Sequence, residues 1–240
     1  MILNSGKFTE KKLSLIIKKA SEKKDIQQKI CFISRNFLGT PYKSSTLIGD
    51  KNSKEIFVIN LEGIDCFTFI DYVEAMRISS SFDEFLINVK KIRYKSGKVS
   101  FKNRNHFFTD WKYSNKKFID DVTLSVSDNK AICIEKILNL KEDGSKILED
   151  IPVKKRKIFY IPSNTINKRI INKLETGDYI GIYSEMQGLD VSHTGIIIKK
   201  SKNIFLRHAS SQKKFRKVID SEFTSYIKKK PGIIVFRPKE

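Results

Sequence analysis

The stretch Gly63-Ile64-Asp65-Cys66-Phe67-Thr68-Phe69 decides how this chain is read. Before it, Ile56-Phe57-Val58-Ile59-Asn60-Leu61 has the β-branched and aromatic content of a strand. Gly63 turns the chain, and a helix is predicted to begin near Asp65 or Cys66. Cys66, Phe69, Ile70, Val73 and Met76 then recur at i, i+3, i+4, i+7 and so lie on one buried face. A thiol in the first turn of a buried helix sits at the positive end of the helix dipole. That position is expected to favour the thiolate and to lower the thiol pKa.

Further along come Ser192-His193-Thr194-Gly195-Ile196 and Arg207-His208-Ala209-Ser210. They fall on two predicted strands, His193–Lys199 and Ile204–Ala209, separated by a short polar turn. If the turn is Ser201-Lys202, Lys200 pairs with Asn203 and His193 lies opposite Ser210. Residues two apart share a face of a strand, so His208 lies on the same face as His193, offset diagonally. Such a diagonal spans roughly 7–8 Å between backbones, within reach of two imidazoles. A slip of one residue would put the rings on opposite faces, so the pairing depends on register. A thiol followed by two such histidines supplies a nucleophile, a base and an orienting group, the parts a cysteine hydrolase needs for acyl transfer. Cys66 is the candidate nucleophile, His193 the base and His208 its orienting partner. Backbone N–H groups at the start of the Cys66 helix would hold the oxyanion. Asp190 and Ser192 flank His193, either fixing its loop by hydrogen bonds or entering the chemistry directly.

The remaining sequence places this hairpin in an α+β chain. Residues 8–35 read as helical, Gly39-Thr40-Pro41-Tyr42 breaks the helix, and Phe82 to Ile92 reads as another short helix. Residues of about 93–165 are weakly patterned and read as an insertion. Tyr179-Ile180-Gly181-Ile182-Tyr183 and the closing Gly232-Ile233-Ile234-Val235-Phe236-Arg237 read as strands. Helices gather early and strands late, the mark of an α+β domain. The 240 residues fit one catalytic domain, with 1–35 a helical extension and 36–237 its core. His106, Asp110 and Trp111 in the middle segment have two readings. They line a substrate cleft, with Trp111 facing a sugar ring, or they form a folded core cluster.

Composition narrows the class. Net charge is +20, from 47 Lys+Arg against 27 Asp+Glu. The charge is spread along the chain beside abundant Lys, Ile and Asn, and no nucleic-acid module or aromatic platform accompanies it. It is read as compositional bias or as attraction for an acidic substrate; a basic nucleic-acid- or lipid-binding module is the distant alternative. Three cysteines, Cys31, Cys66 and Cys133, with no CxxC, form neither a disulfide framework nor a zinc site. Three histidines, two already assigned, leave few ligands for a metal, so no metal or cofactor is expected. No stretch approaches the ~18 apolar residues of a membrane span. The N-terminus lacks the apolar region of a signal peptide. The expectation is a soluble monomer, cytoplasmic as encoded, or periplasmic or extracellular if a signal has been removed.

The motifs together resemble the NlpC/p60 superfamily of papain-like cysteine peptidases and amidases. Gly39-Thr40-Pro41-Tyr42, Asp65-Cys66-Phe67-Thr68-Phe69, Ser192-His193-Thr194-Gly195-Ile196 and His208-Ala209-Ser210-Ser211 follow one another in that superfamily's order. Arg93-Tyr94, His106 with Asp110-Trp111, Tyr160-Ile161-Pro162, Gly177-Asp178 and Gly188-Leu189-Asp190-Val191-Ser192-His193 are similar to its N-acetylmuramoyl-L-alanine amidase-like branch. The resemblance implies a papain-like core, the Cys66 helix packed on an antiparallel sheet, and the roles of Cys66, His193 and His208 already given. It also implies that the Tyr42 hydroxyl lies near the nucleophile. The implied substrate is a peptidoglycan fragment. The implied reaction is hydrolysis of the amide between N-acetylmuramic acid, in its plain or 1,6-anhydro form, and L-alanine. Relatives that cut between D-glutamate and the third stem residue supply the alternative. Lys43-Ser44-Ser45 replaces the Trp-Gly-Gly that often follows Pro-Tyr in the peptidases, so their substrate pocket does not carry over. Lipid acyltransferases built from the same parts usually place histidine before cysteine; here Cys66 comes first.

Overall fold

The structure is a computed structural model describing residues 1–239. A short strand, β1 (Ile2–Asn4), precedes α1 (Glu10–Ser21) and α2 (Ile26–Arg35). The helix expected across residues 8–35 is therefore two helices. Asp25 makes the break by capping the second: its Oδ1 accepts the Gln28 N–H at 2.7 Å. The strand expected at Ile56–Leu61 shortens to β2 (Val58–Asn60), which pairs in parallel with β1 in a separate two-stranded sheet. The cysteine helix α3 (Cys66–Arg77) and then α4 (Phe82–Arg93) lie where the sequence puts them.

The weakly patterned middle holds α5 (Phe108–Ser114), β3 (Ile119–Asp121), α6 (Thr123–Val126), β4 (Ile132–Leu138) and β5 (Lys154–Pro162). After α7 (Lys168–Lys173) come β6 (Tyr179–Tyr183), β7 (Val191–Lys200), β8 (Asn203–Ala209), β9 (Val218–Glu222), α8 (Phe223–Ile227) and β10 (Gly232–Pro238). The main sheet is antiparallel, in the order β4-β5-β10-β6-β7-β8-β9, with β3 paired to β10. Mixed helix and a large antiparallel sheet make the fold α+β. β10 closes the chain in sequence, yet in space it lies between β5 and β6. The middle segment joins the same sheet through β5. Its pattern is weak because all four β5 residues from Lys154 to Lys157 are charged, Lys155 and Lys157 exposed and Lys154 and Arg156 half-buried.

Period-two alternation gives the sheet two packed faces. Tyr179, Ile196, Ile198, Ala209 and Ile234 join α3 and the N-terminal helices in one core. Ile180, Ile182, Ile197, Leu206 and Val235 join α7 and α8 in another. Helix α3 is enclosed on all sides: every residue from Thr68 to Arg77 is buried. Its polar groups are paired. Arg93 Nε donates to Asp71 Oδ2 at 2.8 Å and Trp111 Nε1 to Asp71 Oδ1 at 3.0 Å. Tyr179 Oη donates to Glu74 Oε2 at 2.8 Å, and Arg77 Nε to the same oxygen at 2.8 Å. Leaving any of these buried groups without a partner would cost on the order of 1–3 kcal/mol, so the network holds the cysteine helix in one orientation.

Candidate active site

Asp65 starts α3 with a reciprocal cap. Its Oδ1 accepts the Phe67 N–H at 3.0 Å and the Thr68 N–H at 2.7 Å, while its own N–H donates to Thr68 Oγ1 at 3.0 Å. Cys66 is the first helical residue. The β7–β8 ladder runs from Lys200 opposite Asn203 to Ile196 opposite Arg207, where its pairing ends. The first turn of α3 meets β7 at this open end. Thr194 Oγ1 donates to the Cys66 carbonyl at 2.7 Å. Gly195 lets β8 lie close against β7: a Cβ there would lie 2.9 Å from the Arg207 carbonyl oxygen.

The hairpin register is the one read from the sequence. His193 Nε2 lies 2.7 Å from His208 Nδ1, with ring planes at 88°. His208 Nε2 in turn lies 3.0 Å from Ser221 Oγ on β9. One tautomer set serves the chain with His193 as a base: His193 carries hydrogen on Nε2 and His208 on Nε2. Each then donates onward, and the Nδ1 lone pair of His193 is left free. Arg207, fully buried beside His208, locks β8 in place. It donates to both oxygens of Asp220, at 2.7 and 2.9 Å, and to Ser34 Oγ at 2.9 Å.

The electrostatics reverse one expectation. The Cys66 thiol, expected to be lowered by the helix dipole, is pushed up to about 11, first by burial and then by the Asp65 carboxylate. Hydrogen bonds from Thr194 oppose the shift without cancelling it. A helix terminus is worth roughly 0.3–1 kcal/mol, too little to outweigh burial beside an anion. Burial pushes His193 down to about 3, helped by His208 and Lys230. It pushes His208 down to about 4, with Asp220 opposing and Lys230 assisting. Near neutral pH the thiol and the two imidazoles are therefore all neutral.

Tyr42 is tied to the site by its backbone: its N–H donates to the Arg216 carbonyl at 2.9 Å, and the Lys43 N–H to the Ile64 carbonyl at 3.1 Å. Burial, then the neighbouring Cys66 and Asp65, raise its phenol pKa. Asp190 is buried and accepts from the Thr109 amide at 2.7 Å, the Thr109 hydroxyl at 2.8 Å and the Val191 amide at 2.8 Å. It anchors the start of β7 to α5. Ser192 is exposed, its hydroxyl 3.5 Å from the Ile182 carbonyl. Three residues of the cluster carry no sequence assignment: Thr194, Ser221 and Tyr226. The Tyr226 ring lies 5.1 Å from that of His208 and 6.5 Å from that of His193. Burial, then Cys66, push its phenol up to about 12. Thr194 stands inside the Ser-His-Thr-Gly motif and could have been found there. Ser221 and Tyr226 belong to no motif.

Of the two readings of the middle segment, Trp111 follows the folded core cluster. Trp111 is fully buried, edge-on to Tyr179 at 5.2 Å and bonded to Asp71, so it offers no face to a sugar. It anchors the cysteine helix instead. His106 packs on Phe101 at 4.7 Å with Nε2 2.7 Å from the Phe101 carbonyl, and burial pushes its pKa down to about 4. Asp110 is buried among Lys95, Lys154 and Arg156. No hydrogen bond or ion pair among the described residues links His106, Asp110 or Trp111 to Cys66, His193 or His208.

No curated protein sequence matches the chain. Solved structures do. A Legionella pneumophila protein is 23% identical with a TM-score of 0.81, covering 96% of this chain and 94% of its own, and shares the fold. A Bacteroides uniformis protein named an N-acetylmuramoyl-L-alanine amidase is 26% identical with a TM-score of 0.74, covering 90% of this chain and 99% of its own. A Bacteroides fragilis protein provisionally named a xylanase is 28% identical with a TM-score of 0.68, covering 85% and 99%. The family described as N-acetylmuramoyl-L-alanine amidase-like matches residues 32–233, most of the chain, with the Cys66 helix and both histidine strands inside the match. This chain belongs to the N-acetylmuramoyl-L-alanine amidase-like family.

Proposed function

We propose that the protein is a cysteine-dependent amidohydrolase of peptidoglycan fragments with a papain-like NlpC/p60 core, cleaving the amide between N-acetylmuramic acid and L-alanine. The observation that carries this reading is a thiol at a capped helix start, placed where the hairpin bearing the coupled His193 and His208 stops pairing. Family membership supports the peptidoglycan-derived substrate.

The charge state dictates the order of events. The thiol rests neutral, so His193 Nδ1 takes its proton as sulfur attacks the amide carbon, rather than beforehand. The cost of charging a buried imidazole falls when negative charge forms beside it. In the transition state the imidazolium and the oxyanion appear together and stabilise each other. His208 accepts from His193 Nε2–H and passes the polarisation to Ser221. The backbone N–H groups opening α3 receive the oxyanion. His193 then gives its proton to the leaving amine, and water admitted to the site hydrolyses the thioester. Tyr42 and Tyr226 border the thiol and are placed to donate to substrate oxygens.

The xylanase name carried by one relative finds no support in this site. Glycosidases generally need a pair of carboxyl groups across the scissile bond. The acidic residues beside the cluster are committed elsewhere, Asp65 to the α3 cap and Asp220 to Arg207. The test is mass analysis of muropeptides after incubation with wild type and Cys66→Ala. The expected products are a stem peptide beginning with L-alanine and a peptide-free muramyl sugar, absent with the variant. A sugar retaining L-alanine and D-glutamate would make the enzyme an endopeptidase; unchanged activity in Cys66→Ala would remove the mechanism.

A further inference from the structure

Away from the Cys66 cluster, a surface pocket of about 550 Å³ opens beside α5 and β5, with Lys95, Asp110, Tyr113, Lys154, Arg156 and Lys157 in its wall. Three cations converge on the one carboxylate. Lys154 Nζ donates to Asp110 Oδ2 at 3.1 Å, Lys95 Nζ stands 3.6 Å from the same oxygen, and Arg156 holds Oδ1. Arg156 also lies over the Tyr113 ring, 4.4 Å from its centroid, and Tyr113 is 61% exposed.

The donors outnumber the acceptors. A lysine ammonium brings three N–H donors and a guanidinium five, whereas the Asp110 carboxylate is the acceptor these three side chains share. Lys95 makes no side-chain hydrogen bond short enough to satisfy it, and Arg156 commits a single nitrogen. One negative charge among three positive ones leaves a surplus that Lys157 increases. Lys95 and Lys154, both about 30% exposed, keep their free donors toward the pocket. Burial lowers the Lys95 pKa, and crowding by Lys154 lowers it further, against the pull of Asp110. The arrangement is one that a second anion would complete.

We propose that this pocket is a binding site for a multiply charged anionic group, a phosphate or a cluster of carboxylates, held by Lys95, Lys154 and Arg156 beside the exposed ring of Tyr113. Asp110 fans the cations into position, and the planar guanidinium offers the paired donors that such oxygens accept. The site is independent of the Cys66 chemistry, so failure of either leaves the other standing.

The test is calorimetric titration of the intact chain at low ionic strength with inorganic phosphate and, separately, citrate. Binding of at least one anion is expected. It should weaken about tenfold or more in Lys154→Gln/Arg156→Gln and several-fold in Lys95→Gln, a partly exposed side chain whose loss leaves the fold intact, as far-UV circular dichroism would verify. Lys130→Gln/Arg169→Gln, on the other basic surface pocket around Asp128, should bind as wild type does. That control separates a site from the general attraction of a +20 chain. The tighter of the two anions identifies the oxygen chemistry preferred. Binding of neither anion, or equal binding by wild type and Lys95→Gln, would overturn the proposal.

Discussion

The Cys66 cluster and the Asp110 cluster are both enclosed by protein, yet burial has opposite consequences in them. Around Cys66 the nearby charges do not offset desolvation: Asp65 adds to the rise of the thiol, Lys230 adds to the fall of both histidines, and Asp220 opposes the fall of His208 without cancelling it, so all three groups are driven toward neutral forms. Around Asp110 three cations surround the carboxylate and pair with it inside the fold. A buried group keeps its charge only with a counter-charge in reach. A neutral cluster can then generate charge during a reaction, whereas a paired one holds structure or awaits a further ion.

The largest expected effect breaks the first cluster outright. Cys66→Ala should reduce amide hydrolysis by at least ~10³-fold, since nothing else in the cluster can attack. Cys31→Ala and Cys133→Ala should stay active, because Cys31 packs against the core from α2 and Cys133 is exposed on β4. Next, His193→Ala should cost more than His208→Ala, about 10³-fold against about 10²-fold, since in the proposed mechanism one moves the proton and the other only orients it. Equal losses from the two would remove the assignment of base and partner.

The Asp110 cluster should respond in stability rather than rate. Asp110→Asn leaves three cations facing one another and should cost about 2 kcal/mol, below the ~3–5 kcal/mol of a fully buried pair because the lysines are part-exposed. Urea unfolding would measure it, and a change within error would mean that the ion pairs contribute nothing net.

Acid should separate the two kinds of site. His106 and His208 titrate near 4 and His193 near 3 in the folded protein, against about 6.5 unfolded. Between those values the unfolded chain binds more protons. Stability is therefore fully present above about pH 6.5 and falls on acidification, by up to about 1.4 kcal/mol per pH unit per histidine. Replacing His193 with Gln should flatten the decline of Tm between pH 6.5 and 4.5. An unchanged slope would mean that the imidazole is already charged in the fold.

The smallest effect sharpens the account of the thiol. Asp65→Asn keeps a good capping residue but removes the carboxylate, so Cys66 alkylation at pH 8 should quicken roughly two- to fivefold. In wild type the rate should climb with pH without levelling near neutrality. A plateau at pH 7 would point to a resting thiolate and sink the neutral-cluster description.

Much of the catalytic candidate was legible before the fold. The side-chain period of a strand is two, so a two-residue turn at Ser201-Lys202 sufficed to place His193 beside His208. Cys66 in the first turn of α3 and the helix α4 were legible from the glycine turn and the apolar spacing. Ser221 and Tyr226 were not legible, because they reach the histidines through a strand pairing and a helix that carry no pattern of their own.

The sequence by itself determined what neighbouring residues decide among themselves: helix and strand periodicity, hairpin register and the order of the candidate groups. Tertiary structure alone decided which charges survive. The pKa of Cys66 depends on how much protein closes over the thiol, a sum over distant segments that outweighs the local helix dipole. It likewise decided between the two readings of Trp111, making it an anchor of α3, and it drew Lys95, Lys154 and Arg156 around Asp110 from up to 46 residues away. Electrostatic energy depends on separation in space and on the surrounding medium, and neither is written in sequence distance.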